Sequence, residues 1–255
     1  MDVRNVLLKD RGAALFTTVQ QLPALTDFVT YGPGLDEARD LNISDDNGLP
    51  RCQELAELHS RSLTRLIMCM LDGPEDGNLL RLVDLPQLRS CQLRGEDPEC
   101  WPALNIRIDA ISFQGAQQLQ TLHLQDDQEL QLQVGWLQQL TALTALKLID
   151  CGLHSIPADL ASAGMTLCVL DISFNNQLQL DDAAVRCLLG CCQLQKLGLH
   201  KSGYSFSMSS MANMLRLQRE FRELHGRDLN IFLDDESHEQ CSEVGFDCIW
   251  PPSEL

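Results

Sequence analysis

Aliphatic residues recur along this chain in a short pattern, Leu-x-x-Leu-x-Leu, with mostly polar residues between them. Leu143, Leu146 and Leu148 carry it, as do Leu119, Leu122 and Leu124; Leu167, Leu170 and Ile172; and Leu194, Leu197 and Leu199. Looser copies stand at Leu25, Phe28 and Thr30, at Leu63, Leu66 and Met68, and at Leu88, Cys91 and Leu93. Side chains two apart share one face of a strand, so each copy predicts a short strand. Its fourth and sixth places point into a core, and its third, fifth and seventh places point the other way. The likeness extends beyond the pattern itself. Residues 19–30, from Val19 to Thr30, align without a gap on residues 137–148, from Leu137 to Leu148.

Four of the six gaps between anchors are 24 to 27 residues, a regular repeat period. The gaps of 38 and 31 residues are longer. The first leaves room for a unit around Leu41-Asn42-Ile43 and the second for one around Ile108, Ile111 and Phe113; otherwise both hold loop insertions. A single unit cannot bury its apolar face, whereas stacked neighbours can. Strands stacked at about 4.7–4.9 Å make seven units a sheet on the order of 30 Å long, suited to a protein face and poorly shaped to enclose a small molecule.

The ends read differently. Residues 3–22 predict a helix covering the first strand, with Val6, Leu7, Leu15, Val19 and Leu22 inward and Gly12 weakening its middle. Ser207 precedes a second helical pattern through Met208, Met211, Leu215, Phe221 and Leu224, and Gly226 stands where a helix C-cap is expected. Leu229–Leu233 reads as a closing strand, and residues 234–255 as an acidic, proline-ended tail.

The copy from Leu167 to Asn176 resembles the leucine-rich repeat family, down to the Asn at its ninth place, Asn175. Leu153–Leu160 resembles the second half of such a unit, and the likeness covers residues 19–205. Elsewhere the ninth place holds Pro33, Leu71, Glu96, Asp127, Cys151 or Ser202, which predicts a broken ladder of turn asparagines. The resemblance implies an α/β solenoid, with a curved parallel sheet on the concave face, helices and irregular turns on the convex face, and helical caps. The domain organisation that follows is a cap over 1–24, an array of seven to eight units over 25–205, a capping helix and strand over 206–233, and a tail over 234–255. Leu188–Leu197 also resembles the cysteine-containing repeats of F-box substrate receptors.

Composition narrows the partners. Hydrophobic content of 44% supports a continuous core, and a net charge of −17 lacks the basic stripe that phosphates require, so no nucleic acid is expected. The longest apolar stretch, Leu66–Leu71, is far short of a membrane span, and the N-terminus has no signal-peptide run. Eleven cysteines, several at core places (Cys91, Cys151, Cys168), read as reduced small hydrophobes, which favours the cytosol or nucleus.

Candidate chemistry lies on the outward places. With four lysines in the whole chain, two fall there, Lys147 and Lys196. Together with Arg65, Arg94, His123 and His200 they make the concave face less acidic than the molecule. The expected partner site comprises Tyr31, Ile67, Arg94, His123, Lys147, Ile149, Asp171, Lys196 and His200, and it receives an acidic segment of a protein partner. The alternative is that Asp171 pairs with Lys147 across strands and nothing binds. Arg216, Arg219 and Arg222 form a stripe on the last helix, read as solvated charge beside Glu220 and Glu223.

Catalysis has little support. Cys69 or Cys151 with His123 lacks a third orienting group or an oxyanion site, and His238, Cys241 and Cys248 lack compact metal-ligand spacing. The expectation is a non-catalytic scaffold without cofactor or metal, monomeric in isolation. The alternatives are the substrate-recognition subunit of a ubiquitin ligase and a regulator of a small GTPase. For the first of these, residues 1–18 are short for an F-box.

Overall fold

The alternating pattern produces strands wherever it is clean. In a computed structural model the described residues are 24–29, 52–69, 79–95, 105–127, 129–200 and 206–233. The chain is an α/β protein with few helices, and its main sheet has eight strands, all parallel. It divides into two compact units, residues 1–142 and 143–255.

In the first unit the main-sheet strands are β1 (Asp27–Val29), β2 (Arg65–Cys69), β3 (Ser90–Arg94) and β5 (Thr121–Gln125), in that order. Their register aligns Phe28, Leu66, Cys91 and Leu122 in one row and Met68, Leu93 and Leu124 in another. These are the predicted fourth and sixth places, and all are buried. Each such side chain contributes roughly 1.5–3 kcal/mol, and neighbouring strands supply the cover that one strand lacks.

The long gap before β5 adds no strand to the main sheet, because β3 pairs directly with β5. Instead β4 (Arg107–Ile108) pairs with β6 (Gln131–Leu132) in a separate two-stranded ladder. Ile108 and Phe113 are buried in this second layer, Phe113 lying 6.4 Å from the Trp136 ring, whereas Ile111 is exposed. A forked ion pair fastens the layer: Arg81 Nη2 donates to Asp109 Oδ2 at 2.7 Å and Nη1 to Oδ1 at 2.8 Å. The Arg81 hydrogen bonds hold the Asp109 carboxyl below its usual range against a partial desolvation penalty. Gly115 is required here, since a Cβ would stand 2.0 Å from the Val83 backbone.

The second unit contains β7 (Ala145–Ile149), α1 (Leu160–Ala163), β8 (Val169–Asp171), α2 (Asp182–Leu189), β9 (Lys196–Gly198), α3 (Met208–His225) and β10 (Asn230–Phe232). The strands pair in the order β7-β8-β9-β10, with Leu146, Leu170, Leu197 and Ile231 in one buried row. The turn after β8 is built by Asn175. Its Oδ1 accepts from the N–H groups of Cys151 (3.0 Å) and Leu153 (2.9 Å). Its Nδ2 donates to the carbonyls of Leu148 (2.7 Å), Ile172 (2.9 Å) and Ser173 (3.1 Å). In the first unit Asp127 supplies the acceptor half of this arrangement, taking the Ile106 N–H at 2.9 Å.

Helix α3 begins and ends at its local signals. The Ser207 hydroxyl accepts from Ser210 N at 3.2 Å, and Gly226 adopts the left-handed conformation at φ 66°. Its buried face differs from the expectation: Met211, Met214, Leu217 and Phe221 point inward, while Met208 and Leu224 are exposed and Leu215 is half-buried. Two long-range hydrogen bonds accompany that rotation. Asn213 Nδ2 donates to the Leu180 carbonyl and Arg216 Nη1 to Asp182 Oδ1, each at 2.6 Å. The arginine stripe is balanced, with Arg216 and Arg219 near Glu220 and Arg222 on Asp228. The candidate N-terminal helix, the unit around Leu41-Asn42-Ile43 and the acidic tail lie outside the described residues.

Candidate interaction face

Period-two geometry buries one set of strand side chains and leaves the other half-exposed, so each unit carries a face of outward places. In the first unit the register aligns Val29, Ile67, Gln92 and His123 in one row and Asp27, Arg65, Ser90 and Thr121 in the next. Ile67 and His123, both expected in the site, are half-buried on this face. The two described arginines of this face are already matched. Arg65 Nε lies 3.7 Å from Asp27, and Arg94 Nε donates to Asp126 Oδ2 at 2.8 Å. Arg94 is 55% exposed, but its charge faces an acid of the same chain and is less available to a partner's carboxylate. Tyr31 and the Cys69 side chain lie outside the described residues.

In the second unit Ala145, Val169, Lys196 and Asn230 form one row and Lys147, Asp171, Gly198 and Phe232 the next. Lys147 and Lys196 therefore occupy different rows, two strands apart. Lys196 lies over the Phe232 ring, its Nζ 5.7 Å from the centroid. Lys147 makes no ion pair with Asp171 among the described residues, although the two are in register. The reason is local: Asp171 is 5% exposed, and its Oδ1 accepts from the Ser173 hydroxyl at 2.5 Å and the Ser173 N–H at 3.2 Å. The Ser173 hydroxyl in turn accepts from His200 N at 3.1 Å, and His200 is 8% exposed. Asp171 and His200 thus lie beneath the face rather than on it, and shape it from below. Ile149 stays half-buried at the end of the same strand as Lys147.

Phe174 was not among the sequence candidates. It follows Ser173 in the turn, is 36% exposed and packs against the His200 ring at a 6.1 Å centroid distance. The sequence does hold a signal for it, since the same place in two other units is an aspartate, Asp126 and Asp150.

Three of the described thiols are shifted away from reactivity. Burial pushes Cys91 and Cys191 up to about 12 and raises Cys187, the opposite of what a nucleophile needs. Cys151, the candidate partner of His123, is buried and its Sγ donates to the Ile149 carbonyl at 3.4 Å. Among the described residues no group of three or more His, Cys, Asp or Glu side chains gathers as a metal site; His238, Cys241 and Cys248 lie outside them. Two open clefts of the second unit, of about 240 and 340 Å³, are lined from the α2 and α3 side, by residues such as Asp181, Asn213 and Cys187, and include no sheet-face residue. No helix among the described residues is long and apolar enough to cross a membrane.

Fold and face together define a class, an α/β protein with a parallel sheet and an open, half-polar strand face. No family model matches the chain, and no curated protein does either.

Proposed function

We propose that this chain is a leucine-rich repeat solenoid acting as a non-catalytic protein-interaction scaffold, and that its strand face receives an acidic segment of a partner protein. The observation that carries the reading is Lys147, a half-buried cation on the strand face with no ion pair among the described residues, in a chain of net charge −17. In the first unit Arg65 and Arg94 face acids of the same chain, and the acid in register with Lys147 is engaged by Ser173. Half-buried Ile149 adds apolar area, which supplies affinity while the lysines set orientation and association rate.

The test compares proteins co-purifying from a source-organism lysate with wild type and with Lys147→Glu/Lys196→Glu, after both give the same circular-dichroism melt. The expected result is a stoichiometric partner lost from the double variant, whose binding to wild type weakens with salt. The same proteins on both variants, with no salt dependence, would refute the reading.

A second reading, the substrate-recognition subunit of a ubiquitin ligase, draws on the cysteine-containing copy. Its Cys191 is fully buried and donates to the Leu160 carbonyl at 3.7 Å, a structural use of the thiol. Recovery of a ubiquitin-ligase adaptor in stoichiometric amounts would favour it.

A further inference from the structure

Three turns place a residue other than glycine in the left-handed region: Asp126 at φ 60°, Asp150 at φ 51° and Phe174 at φ 61°. All three stand at the eighth place of their repeat, counted from Leu119, Leu143 and Leu167. Aspartate tolerates this conformation because its short side chain can hydrogen-bond locally. Phenylalanine has no such relief, and a bulky residue there is an outlier. The turn is nevertheless held from both sides. Asp150 N donates to the Ser173 carbonyl at 3.1 Å, Phe174 N donates to the His200 carbonyl at 2.6 Å, and the Asn175 amide binds from beneath.

Core packing does not account for this arrangement in full, because Phe174 stays 36% exposed where the ring meets His200. A strained backbone that presents an aromatic ring at a surface is the pattern of a binding device. We propose that Phe174 is the apolar anchor of the partner site on the second unit. Its occupant is an acidic segment of a separate protein, carrying an apolar side chain about three residues from a carboxylate. The inference rests on the acidic-segment reading above. Lys147 is in register with Asp171, three residues before Phe174 at the turn that ends the strand, so their backbones are at most about 10 Å apart along the strand direction. An extended segment spans that distance in about three residues.

The test pans a random-peptide display library on the full chain and synthesises the enriched peptides. Each is titrated calorimetrically against wild type, Phe174→Asn, Phe174→Leu and Lys147→Glu/Lys196→Glu, alongside thermal melts. Enriched peptides should pair an acid with an apolar residue about three positions away. Phe174→Asn should weaken their binding more than tenfold while raising the melting temperature by about 2–4 °C, because Asn suits the turn. Phe174→Leu should keep most of the affinity and gain no stability. A lower melting temperature for Phe174→Asn would make the ring structural and overturn the proposal, as would unchanged binding. If the lysine variant loses binding and Phe174→Asn does not, the anchor fails and the acidic-segment reading stands. If only Phe174→Asn loses it, or no acid–apolar peptides are enriched, the named occupant fails with that reading. A wild-type dimer dissociated by Phe174→Asn would make the occupant a second copy and overturn the proposal too.

Discussion

Replacing Asn175 by alanine tests how much of the second unit hangs on one turn. The side chain is 2% exposed and makes five hydrogen bonds, two accepted and three donated. Alanine strips the acceptor from the N–H groups of Cys151 and Leu153 and the donor from three carbonyls, of which Ser173's keeps its bond from Asp150 N. A buried donor left without its partner costs about 1–3 kcal/mol, so the two N–H groups set a scale of roughly 2–6 kcal/mol. Water entering the space left behind recovers part of that, which places the expected loss at about 3–4 kcal/mol. Domains are stable by about 5–15 kcal/mol, so the variant folds but sits near the threshold. Urea unfolding followed by circular dichroism measures the loss, and hydrogen exchange should quicken first at the Cys151 and Leu153 amides. Asn175→Asp keeps the acceptor but turns a second oxygen toward three carbonyls, so it should destabilise at least as much as alanine. A loss below about 1 kcal/mol for alanine, or a neutral aspartate, would refute the reasoning.

The Asp109 carboxyl is depressed by Arg81, so its contribution is present above the unfolded pKa near 4 and is lost as pH falls through the folded value. Asp109→Asn should therefore flatten the acid limb of the stability curve below about pH 4 and lower the urea midpoint at pH 7. Cys91 and Cys191, pushed to about 12 by burial, should resist iodoacetamide at pH 8 in the folded chain and react in urea; mass spectrometry showing Cys91 modified at the unfolded rate under native conditions would contradict their burial. Ser207→Ala should cost about 1 kcal/mol through the lost helix cap, and Gly226→Ala about 1–2 kcal/mol through its left-handed backbone, both read from urea midpoints. A neutral Gly226→Ala would contradict the observed φ.

Residues two apart on a strand must share a face, so the Leu-x-x-Leu-x-Leu copies identified by themselves which side chains enter the core. Leu122, Leu124, Leu146, Leu148, Leu170 and Ile172 are all buried, as their positions alone predict. The bounds of α3 were equally local, because Ser207 and Gly226 act through backbone groups within a few residues. Which face of α3 turned inward was not local. It depended on the segments packed against the helix, among them Leu180 and Asp182, more than thirty residues away in sequence.

The face divides in the same way. That Lys147, Ile149 and Lys196 point away from the core follows from strand periodicity. That Asp171 and His200 sink beneath the face, and that Arg94 meets Asp126, follows only from the distances between neighbouring segments. The stretch around Ile108 and Phe113 shows the limit most clearly. Its hydrophobic pattern announced burial, and both residues are buried, but in a second ladder rather than the main sheet. Periodicity encodes the direction of a side chain relative to its own backbone. The partner that covers it, and how deeply, is set by stacking among segments distant in sequence, which left Phe174 exposed in a turn where a local reading would have asked for Asp or Asn.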